Sequence, residues 1–269
     1  MGGREQGSGS ARLDTTVAHP ARRYDYWLGG KDNFAADRES GDAIAAAFPA
    51  IRVAVLENRR FLRRAVAFLA GQQGIRQFLD VGTGIPTSPN VHEVAQAIAP
   101  TARVVYVDDD PVVLAHARAL LVSAPQGATA YVDADLRDPE RVLNEAQRTL
   151  DFTQPVALLL IATMHFIPDG DDPYGIMARL VADLPSGSYL VMSHATRDYL
   201  PPNLVADIAA GRHGAGKLRS RAEIAQFFDG LELMTPGIVP VGQWRAEDEP
   251  DPRPTPAETA VYAALAHIA

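Results

Sequence analysis

The chain has 269 residues, 47% of them hydrophobic, enough for one large α/β domain or two small ones. Its net charge of −8 argues against a general nucleic-acid binder, and no apolar run is long enough to span a bilayer. Cysteine is absent, so disulfide and thiol chemistry are excluded and zinc would have to rely on histidine and carboxylates.

The opening stretch, MGGREQGSGSARLD (residues 1–14), lacks the apolar core of a signal peptide and reads as a disordered leader, with a cytoplasmic location expected. Residues 15–74 read as an N-terminal cap or lid followed by a helix. Tyr24, Tyr26, Trp27 and Phe34 cluster around a Gly29-Gly30 turn, too aromatic for a tail. The helix is predicted over Val53–Ala70, where Leu62, Val66 and Leu69 recur at helical spacing beside Phe61, Ala65 and Phe68. Arg60 and Arg64, four apart, mark its expected wet face, and Gly71 and Gly74 end it.

From residue 75 to 269 strand and helix signals alternate. RQFLDVG, ARVVYVDDD, ATAYVDAD, PVALLLIATMHFI and GSYLVMSHA are the strands. Four helical segments separate them: SPNVHEVAQAIA with Pro89 near its first turn, PVVLAHARALLVS, PERVLNEAQRTL, and DPYGIMARLVADL capped by Asp172. Such alternation implies a parallel sheet with helices on both faces. After a helix at SRAEIAQFFDG, the runs GIVPVGQWRA and TAVYAALAHI predict an antiparallel hairpin on the sheet edge. The basic stretch Arg212–Arg221 reads as a solvated loop and helix start.

One turn carries chemistry. Asp80-Val81-Gly82-Thr83-Gly84 joins the first strand to its helix, but Thr87 stands where a dinucleotide fold places its third glycine. Asp80, Asp108-Asp109-Asp110, Asp133 and Asp135 all end predicted strands, the edge along which open α/β sheets bind ligands. A pyrophosphate there would meet several carboxylates at close range. S-adenosylmethionine carries a sulfonium and an ammonium and no phosphate, so it suits the same edge. Asp108 is placed to accept from the ribose hydroxyls, and Asp135 from the adenine amino group. Asp109 could equally cap the following helix, and Asp133 competes with Asp135.

With those residues in view, the chain resembles the actinobacterial S-adenosyl methyltransferase family, long carried as a domain of unknown function. The similarity runs through ARRYDYWLGGKDNFAADRE, ENRRFLRRAV, QFLDVGTGIPTSPNVHE, VVYVDDDPVVLAHARALL, DADLRDP, HFIPD and GSYLVMSHAT, from His19 to the C-terminus. It implies a Rossmann-like class I methyltransferase fold, a mostly parallel seven-stranded sheet in the order 3-2-1-4-5-7-6, and S-adenosylmethionine as cofactor. The stretch from Arg59 to Gly84 is also similar, more weakly, to leucine carboxyl methyltransferase-like enzymes. That resemblance implies that Arg59 holds the methionyl carboxylate, although the acid that follows it in their pattern is absent here.

The candidate cofactor residues are therefore Tyr24, Arg59, Asp80, Gly82, Thr83, Gly84, Asp108, Asp109 and Asp135, with Leu136, Ala162 and Thr163 after the third and fourth strands. Tyr24 is either core or a lid over the cofactor, and Arg59 either a ligand or an exposed helix charge. His165 and His194, at the ends of the fourth and fifth strands, are candidate general bases or satisfied structural groups. The expected activity is methyl transfer to a small-molecule acceptor. A non-catalytic S-adenosylmethionine-binding protein and, behind it, a nicotinamide-dependent oxidoreductase are the rivals. No metal is expected.

Overall fold

The computed structural model describes residues 14–120, 123–214 and 216–269, so the predicted leader falls outside it except for Asp14. Three helices come first: α1 (Pro20–Trp27), α2 (Ala35–Ala47) and α3 (Ile51–Gly71). There follow β1 (Gln77–Val81), α4 (Val91–Ile98), β2 (Arg103–Asp108), α5 (Pro111–Leu120), β3 (Ala128–Asp133), α6 (Pro139–Ala146), β4 (Ala157–Ile161), α7 (Pro173–Ala182) and β5 (Ser188–Ala195). The last third contains α8 (Pro202–Ala209), α9 (Arg221–Ala225), β6 (Glu232–Leu233), β7 (Val239–Pro240), α10 (Pro256–Thr259) and β8 (Val261–Ile268). No helix among the described residues is long and apolar enough to cross a membrane.

The sheet runs β3-β2-β1-β4-β5-β8-β6, with β7 also paired to β8. β1 to β5 are parallel, and β8 returns antiparallel to β5 over its full length, Ser188 opposite Ile268 and Ala195 opposite Val261. The class I architecture is present, with two refinements. The sheet has eight strands because two short ones, β6 and β7, share the flank of β8. The predicted pairing of the two C-terminal runs is present, β7 lying antiparallel to β8, and β8 itself is an inner strand between β5 and these short partners. Of GIVPVGQWRA only Val239–Pro240 is strand, and Val241–Gln243 turns into a 3-10 helix.

Strand alternation divides the interior into two cores. Leu79, Val105, Leu158 and Leu190 point to the face covered by α6 and α7. Phe78, Val104, Leu159 and Val191 point to the other face, where Phe61, Ala65 and Leu69 of α3 pack. Local signals set the helix starts. Asn90 and Glu93 form a capping box at α4, so Pro89 sits before the cap and not in the first turn. Asp138 and Asp172 cap α6 and α7, accepting from Arg141 N at 3.1 Å and Gly175 N at 3.0 Å. α8 lies in a segment with no predicted element, although Pro202 at its start and Leu204 with Ile208 four apart fit a helix.

The wet face assigned to α3 is half wrong. Arg60 is half-exposed and pairs with Glu57. Arg64 instead passes beneath the C-terminal segment, donating to the carbonyls of Trp244 and Val241 at 2.9 Å each and to Glu249 at 3.0 Å. Beside it the buried Trp244 meets Phe61 and Phe68 edge-on at 5.4 and 6.0 Å. Arg64 thus satisfies acceptors that would otherwise be unpaired next to an aromatic core. Arg64→Ala should cost about 2–3 kcal/mol in urea unfolding. A loss below about 0.5 kcal/mol, the level of an ordinary surface substitution, would show that water replaces it.

Candidate functional site

The first strand ends in a turn that only glycine accommodates well. Gly82 and Gly84 adopt φ of +74° and +68°. The amides of Gly82 and Thr83 donate to Val107 O at 2.8 and 3.2 Å, which pins the turn to the end of β2. A Cβ at Gly82 would lie 2.4 Å from Cγ2 of Thr163, so β4 closes against the turn from the other side. Thr163 Oγ1 in turn donates to Val81 O at 3.2 Å. Three neighbouring strand ends, β1, β2 and β4, are thereby locked at one point of the crevice.

The acids gather there. Asp108 is buried, and its two oxygens accept from Gly84 N at 2.8 Å and Asp110 N at 3.0 Å. Burial raises its pKa to about 6, with the two amide donors opposing the rise. Asp80 is also buried; burial raises it to about 7, the Arg59 guanidinium pulls it down and Asp108 pushes it up. Burial likewise raises Asp109, which sits more openly beside them. Asp135 lies at the cavity mouth, 3.3 Å from Arg137, whereas exposed Asp133 lies outside the cavity lining. Asp110 turns away from the cavity to contact His19 Nδ1 at 2.9 Å.

Arg59 reaches this end from α3. Its Nη2 donates to the carbonyls of Thr87 and Pro89, and among the described residues it has no carboxylate within ion-pair distance. Its charge is therefore not neutralised by a contacting acid.

A cavity of about 490 Å³ opens from these strand ends and is roofed by α1, α2 and α8. Every predicted cofactor residue lines it: Tyr24, Arg59, Asp80, Gly82, Thr83, Gly84, Asp108, Asp109, Asp135, Leu136, Ala162 and Thr163. Apolar side chains such as Trp27, Phe48, Leu204 and Ile208 supply the roof. Tyr24 is half-buried, donating to Val55 O at 3.1 Å and accepting from Asn58 Nδ2 at 2.9 Å. Tyr26 points elsewhere, to Asp42 at 2.7 Å. The Gly29-Gly30 turn is held, not loose: Gly30 N donates to Asp25 O at 2.9 Å, and a Cβ on Gly30 would strike the Asp25 carboxylate.

The two histidines separate. β4 stops at Ile161 because Ala162 takes φ +56° and Met164–Phe166 forms a 3-10 turn, so His165 stands in that turn on the cavity wall. Burial and the nearby guanidinium groups of Arg219 and Arg23 lower its pKa to about 4, and its Nδ1 is buried without a partner. His194 is fully buried within β5 and does not line the cavity. Its Nε2 lies 3.0 Å from Arg219 Nη1, a group that can only donate, which places the imidazole proton on Nδ1, 2.7 Å from Ala195 O. That arrangement occupies both ring nitrogens and keeps His194 out of the cavity lining, away from the role of general base.

The basic stretch also departs from its reading as a solvated loop. Arg219 is 1% exposed and ties Met164 O, Ile167 O, His194 and Asp169 together. His213, Gly214, Gly216 and Leu218 line the cavity. Nothing in the charge pattern distinguishes Arg219 from its neighbours.

A mixed sheet with an acid-glycine turn at its switch point, carboxylates at three successive strand ends and no third glycine defines a class I methyltransferase framework. The chain belongs to the S-adenosyl methyltransferase family, whose model matches residues 6–269, and S-adenosylmethionine is the cofactor of that family. It is 49% identical to a DUF574 family protein from Streptomyces avermitilis, with a TM-score of 0.91 over 96% of this chain and 100% of that one. It is 41% identical to a protein of Thermobifida fusca crystallised as a candidate methyltransferase, with a TM-score of 0.86 over 95% and 96% of the two chains. Magnesium protoporphyrin IX methyltransferase from Synechocystis, solved with S-adenosylhomocysteine, shares the fold at 15% identity and a TM-score of 0.51 over 92% and 93%. No curated protein matches the chain.

The elevated pKa of Asp80 has a measurable consequence. An acid whose folded pKa lies above its unfolded value holds its proton more tightly when folded, so it lowers stability as pH rises from about 4 to about 7. Asp80→Asn removes that titration. Its stability relative to the native protein should therefore increase from pH 5 to pH 8 in ligand-free urea unfolding, levelling off above about 7. A pH-independent difference would place Asp80 in water.

Proposed function

We propose that the protein is an S-adenosylmethionine-dependent methyltransferase acting on a small-molecule acceptor, in which the strand-end acids hold the cofactor and the roof receives the acceptor. The supporting observation is the polarity of one cavity: carboxylates with raised pKa values at the glycine turn and an apolar roof opposite. Acids that are costly to ionise when buried are suited to a cation. The cofactor supplies, when bound, a methyl group on a positively charged sulfur.

In this reading Gly82 and Gly84 let the backbone approach the cofactor closely. Asp108 accepts from the ribose hydroxyls, Asp135 from the adenine amino group, and Arg59 faces the methionyl carboxylate. Asp80 balances charge near the cofactor's amino group. Leu136 and Thr163 form apolar and steric walls, and Tyr24, fixed by Asn58, buttresses the roof. The protein's main contribution to rate is orientation of nucleophile and sulfonium. His165 is a neutral, weakly basic imidazole at physiological pH, so it would accept a proton only transiently, and only from an acceptor that still carries one. A cytoplasmic location belongs to the same reading.

Calorimetry tests it. S-adenosylmethionine and S-adenosylhomocysteine should bind, and NAD should not; comparable NAD affinity would sink the assignment. Asp108→Ala should weaken S-adenosylhomocysteine by about 1.5–3 kcal/mol, the scale of a hydrogen bond to a charged group. Because Asp108 also holds the Gly84 and Asp110 amides, Asp108→Asn is the partner variant: it removes the charge and keeps an acceptor for one of the two amides. Unchanged affinity in both variants would remove Asp108 from the ribose site.

Affinity should also rise between pH 5.5 and 7.5, since a cationic ligand favours the ionised forms of Asp80 and Asp108, whose pKa values lie near 7 and 6. Binding in that window releases protons, and a flat profile would indicate that neither acid meets the ligand.

A further inference from the structure

Arg23 is a cavity-lining charge that the cofactor reading leaves unused, and its surroundings are unusual for a guanidinium. It lies on α1, is 5% exposed, and lines the roof of the cavity. Among the described residues its one hydrogen bond runs from Nη1 to Ser40 Oγ at 3.1 Å. Nε is buried without an acceptor, and Nη2 has none among the described residues. The acid that acts on it electrostatically, Asp37, is already occupied: it accepts from the amides of His19 and Phe34, at 2.8 Å each, and lies 3.4 Å from Arg22 Nε. Burial without an ion-pair partner lowers the Arg23 pKa, with Asp37 opposing weakly from a distance.

A buried cation that nothing neutralises is costly, and structures tolerate it where a ligand completes the pair. Ser40 occupies Nη1 and the surrounding protein encloses Nε, which leaves Nη2 as the N–H donor open to a carboxylate oxygen in the cavity. Gly214 faces the same guanidinium; a Cβ there would lie 2.8 Å from Nη1. His165 and His213 flank this part of the cavity, each with a buried Nδ1 lacking a partner. The remaining roof is apolar.

We propose that the methyl acceptor is a monocarboxylate with an apolar body, and that its carboxylate pairs with Nη2 of Arg23. This rests on the methyltransferase reading and extends it to the substrate class. One guanidinium balances one negative charge. A phosphate monoester, close to a dianion at neutral pH, would leave net charge among apolar walls. The carboxylate serves recognition, orienting the acceptor beneath the roof.

The test measures binding to the full-length protein, beginning with S-adenosylhomocysteine alone. Its failure to bind the native protein would overturn the methyltransferase reading and this proposal with it. At saturating S-adenosylhomocysteine, phenylacetate and hexanoate should bind at least tenfold tighter than phenylacetamide and hexanamide. Arg23→Gln should abolish that preference while changing S-adenosylhomocysteine affinity less than twofold, and Arg23→Lys should restore part of it.

Equal binding of acids and amides to the native protein, a comparison that needs no variant, would overturn the proposal and leave the methyltransferase reading standing. Tighter binding of phenyl phosphate than of phenylacetate would overturn it in favour of a phosphate-bearing acceptor. A parallel loss of S-adenosylhomocysteine affinity in Arg23→Gln would instead assign Arg23 to the cofactor.

Discussion

The hydrogen bond from the Gly84 amide to the Asp108 carboxylate, 2.8 Å long, is the contact on which the site depends. It crosses from the turn after β1 to the end of β2, and the other oxygen of the same carboxylate holds the Asp110 amide at the start of α5. One buried acid therefore fixes the turn, the strand end and the next helix together. The cost is electrostatic. Asp108 must sit in a low-dielectric crevice beside Asp80, and both acids resist ionisation there. A protein that keeps such an arrangement has a cavity prepared for positive charge before any ligand arrives.

The N-terminal helices are built into that arrangement. His19 contacts Asp110, and Arg22 links Asp37 to the same acid, so the start of α1 is fastened to the end of β2. Ala21 then lies over Gly84, 3.9 Å from where a Cβ would be. Asp25 closes the turn at Gly30 and receives Asp32 N and Asn33 Nδ2, which makes the segment a fixed roof over the crevice. On the far side Arg219 clamps the 3-10 turn carrying His165 to the segment carrying His213. The cavity thus has a negative floor made by strand ends and a roof made by helices, with an unpaired guanidinium set into the roof.

Much of this was legible before the structure. Hydrophobic runs of strand length alternating with helical periodicity identify a parallel sheet, because each βαβ unit buries its faces locally. The acid-glycine turn and the acids ending successive strands could be read as one edge, since parallel strands place all their C-terminal ends together. Pro202 with Leu204 and Ile208 carried the signal for α8, although proline before an apolar spacing is easily taken for a loop.

The sequence by itself determined the order of strands and helices through β5, the conformational demand at Gly82 and Gly84, and the acidic floor. These depend on residues close in the chain or on one rule of sheet geometry. Tertiary structure decided which charges are buried and which are satisfied. Arg23, Arg64, Arg219 and Arg221 look alike in sequence. Arg64 and Arg219 became structural bolts because carbonyls from segments far along the chain converge on them, whereas Arg23 was left without an ion-pair partner while Asp37 is taken by Arg22 and two backbone amides. The meaning of a charge depends on its desolvation and its partners, and both are fixed only when distant segments meet.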